Sequence, residues 1–228
     1  METTFVLVHS PAVGPETWAP AAAALERRGH RAVVPDLTGV AAGPLPSWPR
    51  AVEAVRSAAP AGPLVLVAHS NAGHLLPAVK EGLGGRVVAC VFAEAHLPPA
   101  AGLVKPVAER FLPFLRKLAG RDGVLPRWTD WRDPAEVAAL LPDPETRERV
   151  VSGQPRLPLG YFTQPVPVPA GWDDVRCSFL WYGPPYDEVA AEARQRGWTV
   201  ARVPGGHLHQ VVAPDAVAEA LVRLSLKS

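Results

Sequence analysis

The stretch "VAHSNAGH", residues 67–74, sets a serine where its hydroxyl could act as a nucleophile. Ala68 stands two residues before Ser70, Ala72 and Gly73 follow it closely, and the apolar run "LVLVA" leads into it. A strand that turns sharply into a helix, with a serine exposed at the bend, needs small neighbours because the two backbones nearly touch there. Such a turn also aims a helix N-terminus at the reaction centre, where it favours developing negative charge. The chemistry this permits is covalent: the hydroxyl attacks an electrophilic carbon once a base takes its proton. A purely structural role competes with it, Ser70 being a good N-cap for a crossover helix between parallel strands.

A turn of this kind needs a buried strand before it and a helix after it, and the rest of the chain supplies both repeatedly. Six short strands are predicted at residues 4–9, 31–36, 64–69, 87–93, 177–183 and 199–204. Most are near-continuous apolar runs, the mark of strands buried on both faces of a parallel sheet. Helical patterns fall between most of them: "PETWAPAAAALERRGH" ending at Gly29, "SWPRAVEAVRSAA", "NAGHLLPAVKEGLGG", "DEVAAEARQRG" and the closing "PDAVAEALVRLSL". Strands alternating with helices predict the α/β class. Residues 97–172 break the rhythm. They hold no convincing strand, but contain the helical pieces "LVKPVAERFLPFLRKLAG", "DPAEVAALL" and "DPETRERVVSG" and then a proline-rich return. A long insertion with its own helices, set between the fourth and fifth strands, predicts a lid over a site. The expected organisation is one domain over 1–228, with a core of 1–96 and 173–228 and a lid of about 97–172.

The totals restrict the function classes. The 23 basic and 22 acidic residues nearly cancel, and no cationic stripe appears, so neither nucleic acid nor an anionic membrane is an expected partner. The N-terminal "METTFVLVHS" has no basic region and too short an apolar run for a signal peptide, and no apolar stretch reaches spanning length. Cys90 and Cys177 fall in predicted core strands and read as reduced residues of a cytoplasmic protein. No Gly-x-Gly-x-x-Gly follows the first strand, so no dinucleotide cofactor is expected. His207 and His209 form "HLH", but no carboxylate or third histidine stands at ligand spacing, so no metal is expected either.

"FVLVHSPAVGPETW" followed by "LERRGHRAVVPDLTG" resembles the opening of the α/β-hydrolase superfamily, where a strand ending in histidine precedes the oxyanion loop. "VPGGHLHQVVAPDAVAEAL" resembles its C-terminal segment, where Gly-His supplies the catalytic histidine and a proline soon after starts the last helix. The resemblance covers the whole chain except the predicted lid, and the compact start is similar to the small plant esterase and hydroxynitrile lyase branch. It implies an α/β-hydrolase fold with a six-stranded, mostly parallel sheet. It also implies Ser70 as nucleophile, His207 as general base and His9 as the structural histidine of the oxyanion loop. His69 and His74 then become shape or pocket residues.

Two carboxylates compete for the third catalytic role. Asp187, in "WYGPPYDEV", lies near the superfamily's usual acid position but could equally serve as a helix N-cap. Glu94 ends the fourth strand at the superfamily's alternative acid position and is slightly favoured; it could instead contact substrate or lid from the pocket mouth. The oxyanion hole departs from the pattern. One donor is the N–H of Asn71, but the other position is Pro11, which has no N–H. Losing such a donor costs about 2.7–4 kcal/mol of transition-state stabilisation. Either Ala12 or Val13 supplies the donor, or the hydroxyl of Ser10 does, or the reaction makes no tetrahedral oxyanion.

The expected function is a cofactor-free serine hydrolase that cleaves an ester, thioester or lactone of a small, apolar molecule. A lyase, cyclase or dehydratase using His207 as base is the alternative, and a non-catalytic small-molecule receptor a third. The aromatic residues of the insertion, Phe111, Phe114, Trp128, Trp131, Tyr161 and Phe162, suit an apolar substrate, although packing of the lid helices accounts for most of them.

Overall fold

The computed structural model describes residues 2–225. Strands β1 (Thr4–Val8), β2 (Arg31–Val33), β3 (Leu64–His69) and β4 (Val87–Ala93) come first. The short β5 (Gly102–Val104) and β6 (Val166–Val168) follow, then β7 (Arg176–Trp181) and β8 (Thr199–Arg202). The main sheet has the order β2-β1-β3-β4-β7-β8, with every pairing parallel. Between and after the strands run α1 (Ala19–Arg27), α2 (Trp48–Ala58), α3 (Leu76–Leu83), α4 (Leu112–Leu118), α5 (Pro134–Leu140), α6 (Pro144–Ser152), α7 (Leu159–Thr163), α8 (Asp187–Gln195), α9 (His209–Val212) and α10 (Pro214–Ser225). The last residue of the predicted closing helix, Leu226, lies outside the described residues.

Alternate residues of each central strand enter two different cores, as the two-residue period of a strand requires. Val6, Leu66, Cys90 and Cys177 stand in one row across four strands and face α2, α3 and α8. Their neighbours Phe5, Val65, Ala89 and Val91 face α1 and α10 on the other side. With helices covering both faces, neither can be polar, which is why the strands read as unbroken apolar runs. Both cysteines are buried and free.

The chain builds outward from β1 in one direction to β2, then reverses through β3, β4, β7 and β8. That switch point opens a crevice at the carboxyl ends of β1 and β3, where parallel α/β sheets bind ligands. Ser10 follows β1 and Ser70 follows β3.

Two details differ from the sequence-based expectation. The insertion does contain strands: β5 and β6 pair antiparallel, with Leu103 opposite Pro167. Each is only three residues long and β6 has a proline at its centre, so neither carries the apolar signature of a core strand. The helix after Ser70 also begins as a 3₁₀ segment, Ser70–Leu75, and becomes α-helical only at Leu76. Pro77 explains this. It has no N–H to offer the carbonyl of Gly73, so it is tolerated only in the first turn of α3.

Gly73 is the small residue the turn depends on most. A Cβ there would lie 2.1 Å from the carbonyl oxygen of His96, a backbone atom that cannot swing aside. Gly73→Ala is therefore expected to destabilise the fold by about 3 kcal/mol, the upper end for overpacking. Gly39→Ala, where a Cβ meets nothing within 4 Å, is the matched control. Urea unfolding of the two variants checks this, and equal midpoints would contradict it.

Candidate active site

Ser70 has φ 56 and Glu94 has φ 45, both left-handed although neither is glycine. Each such residue costs on the order of 1–3 kcal/mol and persists only where its surroundings impose it. Here they impose it mutually. The Ser70 N–H donates to the Glu94 carbonyl at 3.1 Å, the Ser70 carbonyl accepts from His96 N–H at 3.2 Å, and Glu94 N–H donates to Leu180 at 2.9 Å. The exits of β3, β4 and β7 are thereby locked together, and Ser70 is held half-buried at the bend.

His207 reaches this bend from the loop between β8 and α9. Its Nε2 lies 3.0 Å from Ser70 Oγ, and its Nδ1 lies 3.7 Å from Glu94 Oε2. The Nδ1 atom has no hydrogen-bond partner. Catalytic hydrogen bonds are often this long before substrate tightens them. The other Glu94 oxygen, Oε1, accepts from the backbone N–H groups of Tyr182 (2.5 Å) and Gly183 (3.2 Å). Asp187 instead sits exposed in the first turn of α8, acidic beside Glu188 at the positive end of that helix.

Burial sets the protonation of the pair. It holds the His207 imidazole down to about 3, and the positive charge of Arg132 adds to the effect. Burial pushes Glu94 up to about 7 against the two N–H groups that hold it down, and the charge of Asp187 adds to the rise. The imidazole is therefore neutral around pH 7, as a general base must be.

The neighbouring histidines are structural. His69 Nε2 donates to the His207 carbonyl at 2.8 Å and fixes the loop that carries His207. His9 takes the Leu37 N–H on Nε2 at 2.9 Å and gives Nδ1–H to the Ser10 carbonyl at 2.8 Å, which defines a neutral tautomer. Burial lowers it to about 4, so its 3.9 Å approach to Asp36 is not an ion pair near neutrality. His74 stacks on His96, rings 4.9 Å apart and 5° from parallel.

In the loop after β1, the Val13 N–H bonds the Ser10 carbonyl at 3.0 Å and the Ala12 N–H bonds Ser10 Oγ at 3.4 Å. Both N–H groups that could have replaced the one missing at Pro11 are thus engaged within the loop. The Ser10 hydroxyl receives a bond through its oxygen, which leaves its own hydrogen as a donor. Asn71, the first residue after Ser70, is pinned from the insertion. Its Oδ1 accepts from the Tyr161 hydroxyl at 2.6 Å, and its Nδ2 donates to the Pro106 carbonyl.

Three of these features were not anticipated from sequence. Trp128 lies 5.9 Å from the His207 ring, Tyr161 bonds Asn71, and Tyr186 stacks on His207 at 5.2 Å and 9°. Trp128 and Tyr161 showed in the sequence only as aromatics of the insertion, and Tyr186 only as an aromatic in the turn after β7. The packing role holds for others: Trp131 and Phe162 meet edge-to-face, as do Phe114 and Trp131. Phe111 and Phe114 are about half exposed. Among the described residues no helix is long and apolar enough to cross a membrane.

A probable esterase of rice, Oryza sativa, named PIR7A, is 35% identical over 117 residues, which are 47% of this chain and 44% of that protein. The match thus spans less than half the length of these curated relatives. Among solved structures, an extracellular α/β-hydrolase from a Paenibacillus species superposes with a TM-score of 0.76 at 17% identity, covering 99% of this chain and all of that one. Polyneuridine aldehyde esterase superposes with a TM-score of 0.72, also at 17% identity, over 99% and 100% of the two chains. At these identities the likeness is one of fold. The family model described as the alpha/beta hydrolase family matches residues 5–220, nearly the whole chain, with both strand-end turns and the histidine loop inside it. This chain belongs to the alpha/beta hydrolase family.

Proposed function

We propose that this protein is a serine esterase that cleaves an ester, thioester or lactone of a small apolar molecule through Ser70, His207 and Glu94. The observation that carries this is the Ser70 Oγ to His207 Nε2 contact of 3.0 Å on a left-handed turn, with Glu94 buried behind the imidazole. Esterases among the similar proteins support the same reaction class.

In the proposed mechanism His207 Nε2 takes the Ser70 proton as Oγ bonds to the carbonyl carbon. The carbonyl oxygen becomes an oxyanion beside the Asn71 N–H, which has no acceptor within the first turn of its helix, and the Ser10 hydroxyl. When the tetrahedral adduct collapses, the leaving group departs with the bonding electrons and receives the proton held by His207. Water then attacks the acyl-enzyme by the same route. Residues 97–172 act as a lid, with Trp128 over His207 and with Tyr161 and Pro106 holding Asn71. Gln164 and Ser47 fasten the far end of the lid to the core, Ser47 N–H to Oε1 at 2.5 Å and Nε2 to Ser47 Oγ at 2.7 Å.

A panel of chromogenic esters with short, medium and long acyl chains tests this proposal. At least one should be turned over, and initial rates should fall as pH drops through about 7. The sign follows from which group titrates there. Below about 7 Glu94 is protonated and no longer accepts from His207 Nδ1–H, whereas His207 itself stays neutral down to about 3. A profile flat across neutrality would contradict the assignment. The engaged Ala12 and Val13 N–H groups favour a second reading, a lyase that uses His207 as base and forms no oxyanion. Breakdown of a cyanohydrin with no ester turned over would select it.

A further inference from the structure

The near balance of charge over the whole chain conceals a local excess in the insertion. Between residues 105 and 121 stand Lys105, Arg110, Arg116, Lys117 and Arg121 against a single carboxylate, Glu109. All of them are exposed. Glu109 is taken by Lys105 at 2.5 Å, the only ion pair of this stretch among the described residues. Arg110, Arg116, Lys117 and Arg121 are left to attract an anionic partner.

The same stretch is apolar on two faces. Leu112 and Leu115 of α4 are buried, and Leu115 belongs to one core with Leu125, Tyr161 and Phe162. Phe111 and Phe114 are 50% and 46% exposed, and they are the only exposed aromatic side chains among the described residues. Packing within the insertion explains the leucines. It does not explain the phenylalanines, of which only Phe114 meets a neighbouring ring, Trp131, edge-to-face at 6.5 Å. Arg110, Phe111, Phe114 and Lys117 follow at spacings of three and four residues across the turn Glu109–Phe111 and α4, so rings and cations share one helical face. The Arg110 guanidinium lies 5.4 Å from the Phe111 ring.

We propose that this face docks on an anionic lipid bilayer, with Phe111 and Phe114 entering the boundary between headgroups and acyl chains. Arg110, Arg116, Lys117 and Arg121 then meet the anionic headgroups. Segments that lie in a membrane surface bind through buried apolar area together with attraction of their Lys and Arg to anionic lipid, and both are present here. The long Arg and Lys stems let the charged ends stay among the headgroups while the rings go deeper. A single-stranded nucleic acid fits less well. It is taken in a cationic groove with aromatic rings inside it, whereas these rings stand on the outside of a helix.

The face adjoins the candidate active site. Trp131, which Phe114 touches, meets Phe162 edge-to-face at 5.9 Å, and Phe162 meets Tyr161 at 4.9 Å. The Tyr161 hydroxyl bonds Asn71, the residue after Ser70. A membrane held at Phe114 is therefore next to the insertion that covers the nucleophile.

Sedimentation with lipid vesicles tests the proposal. The wild type should pellet with vesicles of equimolar phosphatidylcholine and phosphatidylserine and stay in solution with phosphatidylcholine alone. Binding should weaken as salt is raised, because the attraction to the headgroups is screened. The double variant Arg116→Gln/Lys117→Gln should bind about twentyfold more weakly, at about fivefold for each cation near the surface. Phe111→Ser/Phe114→Ser keeps every charge and should still lose about tenfold or more. Arg194→Gln/Arg202→Gln removes two cations beside Trp181, at the β8 edge of the sheet, and should bind as the wild type does. Failure of the wild type to pellet with the mixed vesicles overturns the proposal. So does full binding by the phenylalanine variant, or an equal loss in the Arg194/Arg202 control, either of which marks a diffuse attraction of charge. Each of these outcomes leaves the esterase reading standing, because sedimentation measures no turnover.

Discussion

Ser70→Ala should lower ester turnover by roughly a million-fold, to the residual rate that oxyanion donors and binding supply alone. The size of the effect follows from the geometry. Ser70 Oγ stands 3.0 Å from the His207 imidazole. Without it the base has no nucleophile to deprotonate and no covalent intermediate forms. His207→Ala should cost about as much, and the double variant little more, because the residues of one proton relay act as a unit. A fluorophosphonate should add to the wild type at Ser70, add slowly to His207→Ala, and not add to Ser70→Ala, as intact-protein mass would record. Ester turnover that survives Ser70→Ala within tenfold would remove the covalent mechanism and move the lyase reading ahead. The fold should tolerate the exchange, since alanine is as small as the neighbours the turn already uses.

The turn that carries Ser70 was legible because its constraints are local. A buried strand, a bend and a close helix each leave a mark on adjacent residues, and Gly73 is the clearest, with His96 O where its Cβ would stand. The sheet was legible for a similar reason, since burial on both faces writes itself into a run such as "LVLVAH". The acid was not. Glu94 and Asp187 both follow core strands, and the difference between them is a left-handed residue at the end of β4, which a glutamate does not advertise. Tyr186 was hidden in the same way, because its stacking depends on the path of residues 182–186 and on where the β8–α9 loop sets His207. The strands of the insertion escaped because a three-residue strand centred on Pro167 has no periodicity to show. The engaged N–H groups of Ala12 and Val13 depend on loop hydrogen bonds that no residue pattern encodes.

Glu94→Gln should cost about ten-thousand-fold in turnover, while Asp187→Asn should stay within a few-fold of wild type. The two N–H groups of Tyr182 and Gly183 dictate how a glutamine must sit. They can be met only by its carbonyl oxygen, so its NH₂ is forced toward His207 Nδ1. A donor there selects the tautomer with its hydrogen on Nε2, and that nitrogen can no longer accept the Ser70 proton. Asp187 does none of this from the exposed first turn of α8, and its removal takes away only a nearby negative charge. Stability should move in the opposite sense to activity. Burial raises Glu94 from 4.5 to about 7 in the folded protein, so the folded state binds more protons than the unfolded one between those values. That contribution is fully present below pH 4.5 and is lost as pH rises through about 7. The neutral glutamine has no such loss. Relative to wild type, the Glu94→Gln variant should therefore gain stability as pH rises through this window, while remaining nearly inactive. Urea midpoints of the two proteins measured on either side of the window check the sign. A variant that is fully active, or one whose stability relative to wild type does not change with pH, would place the acid elsewhere.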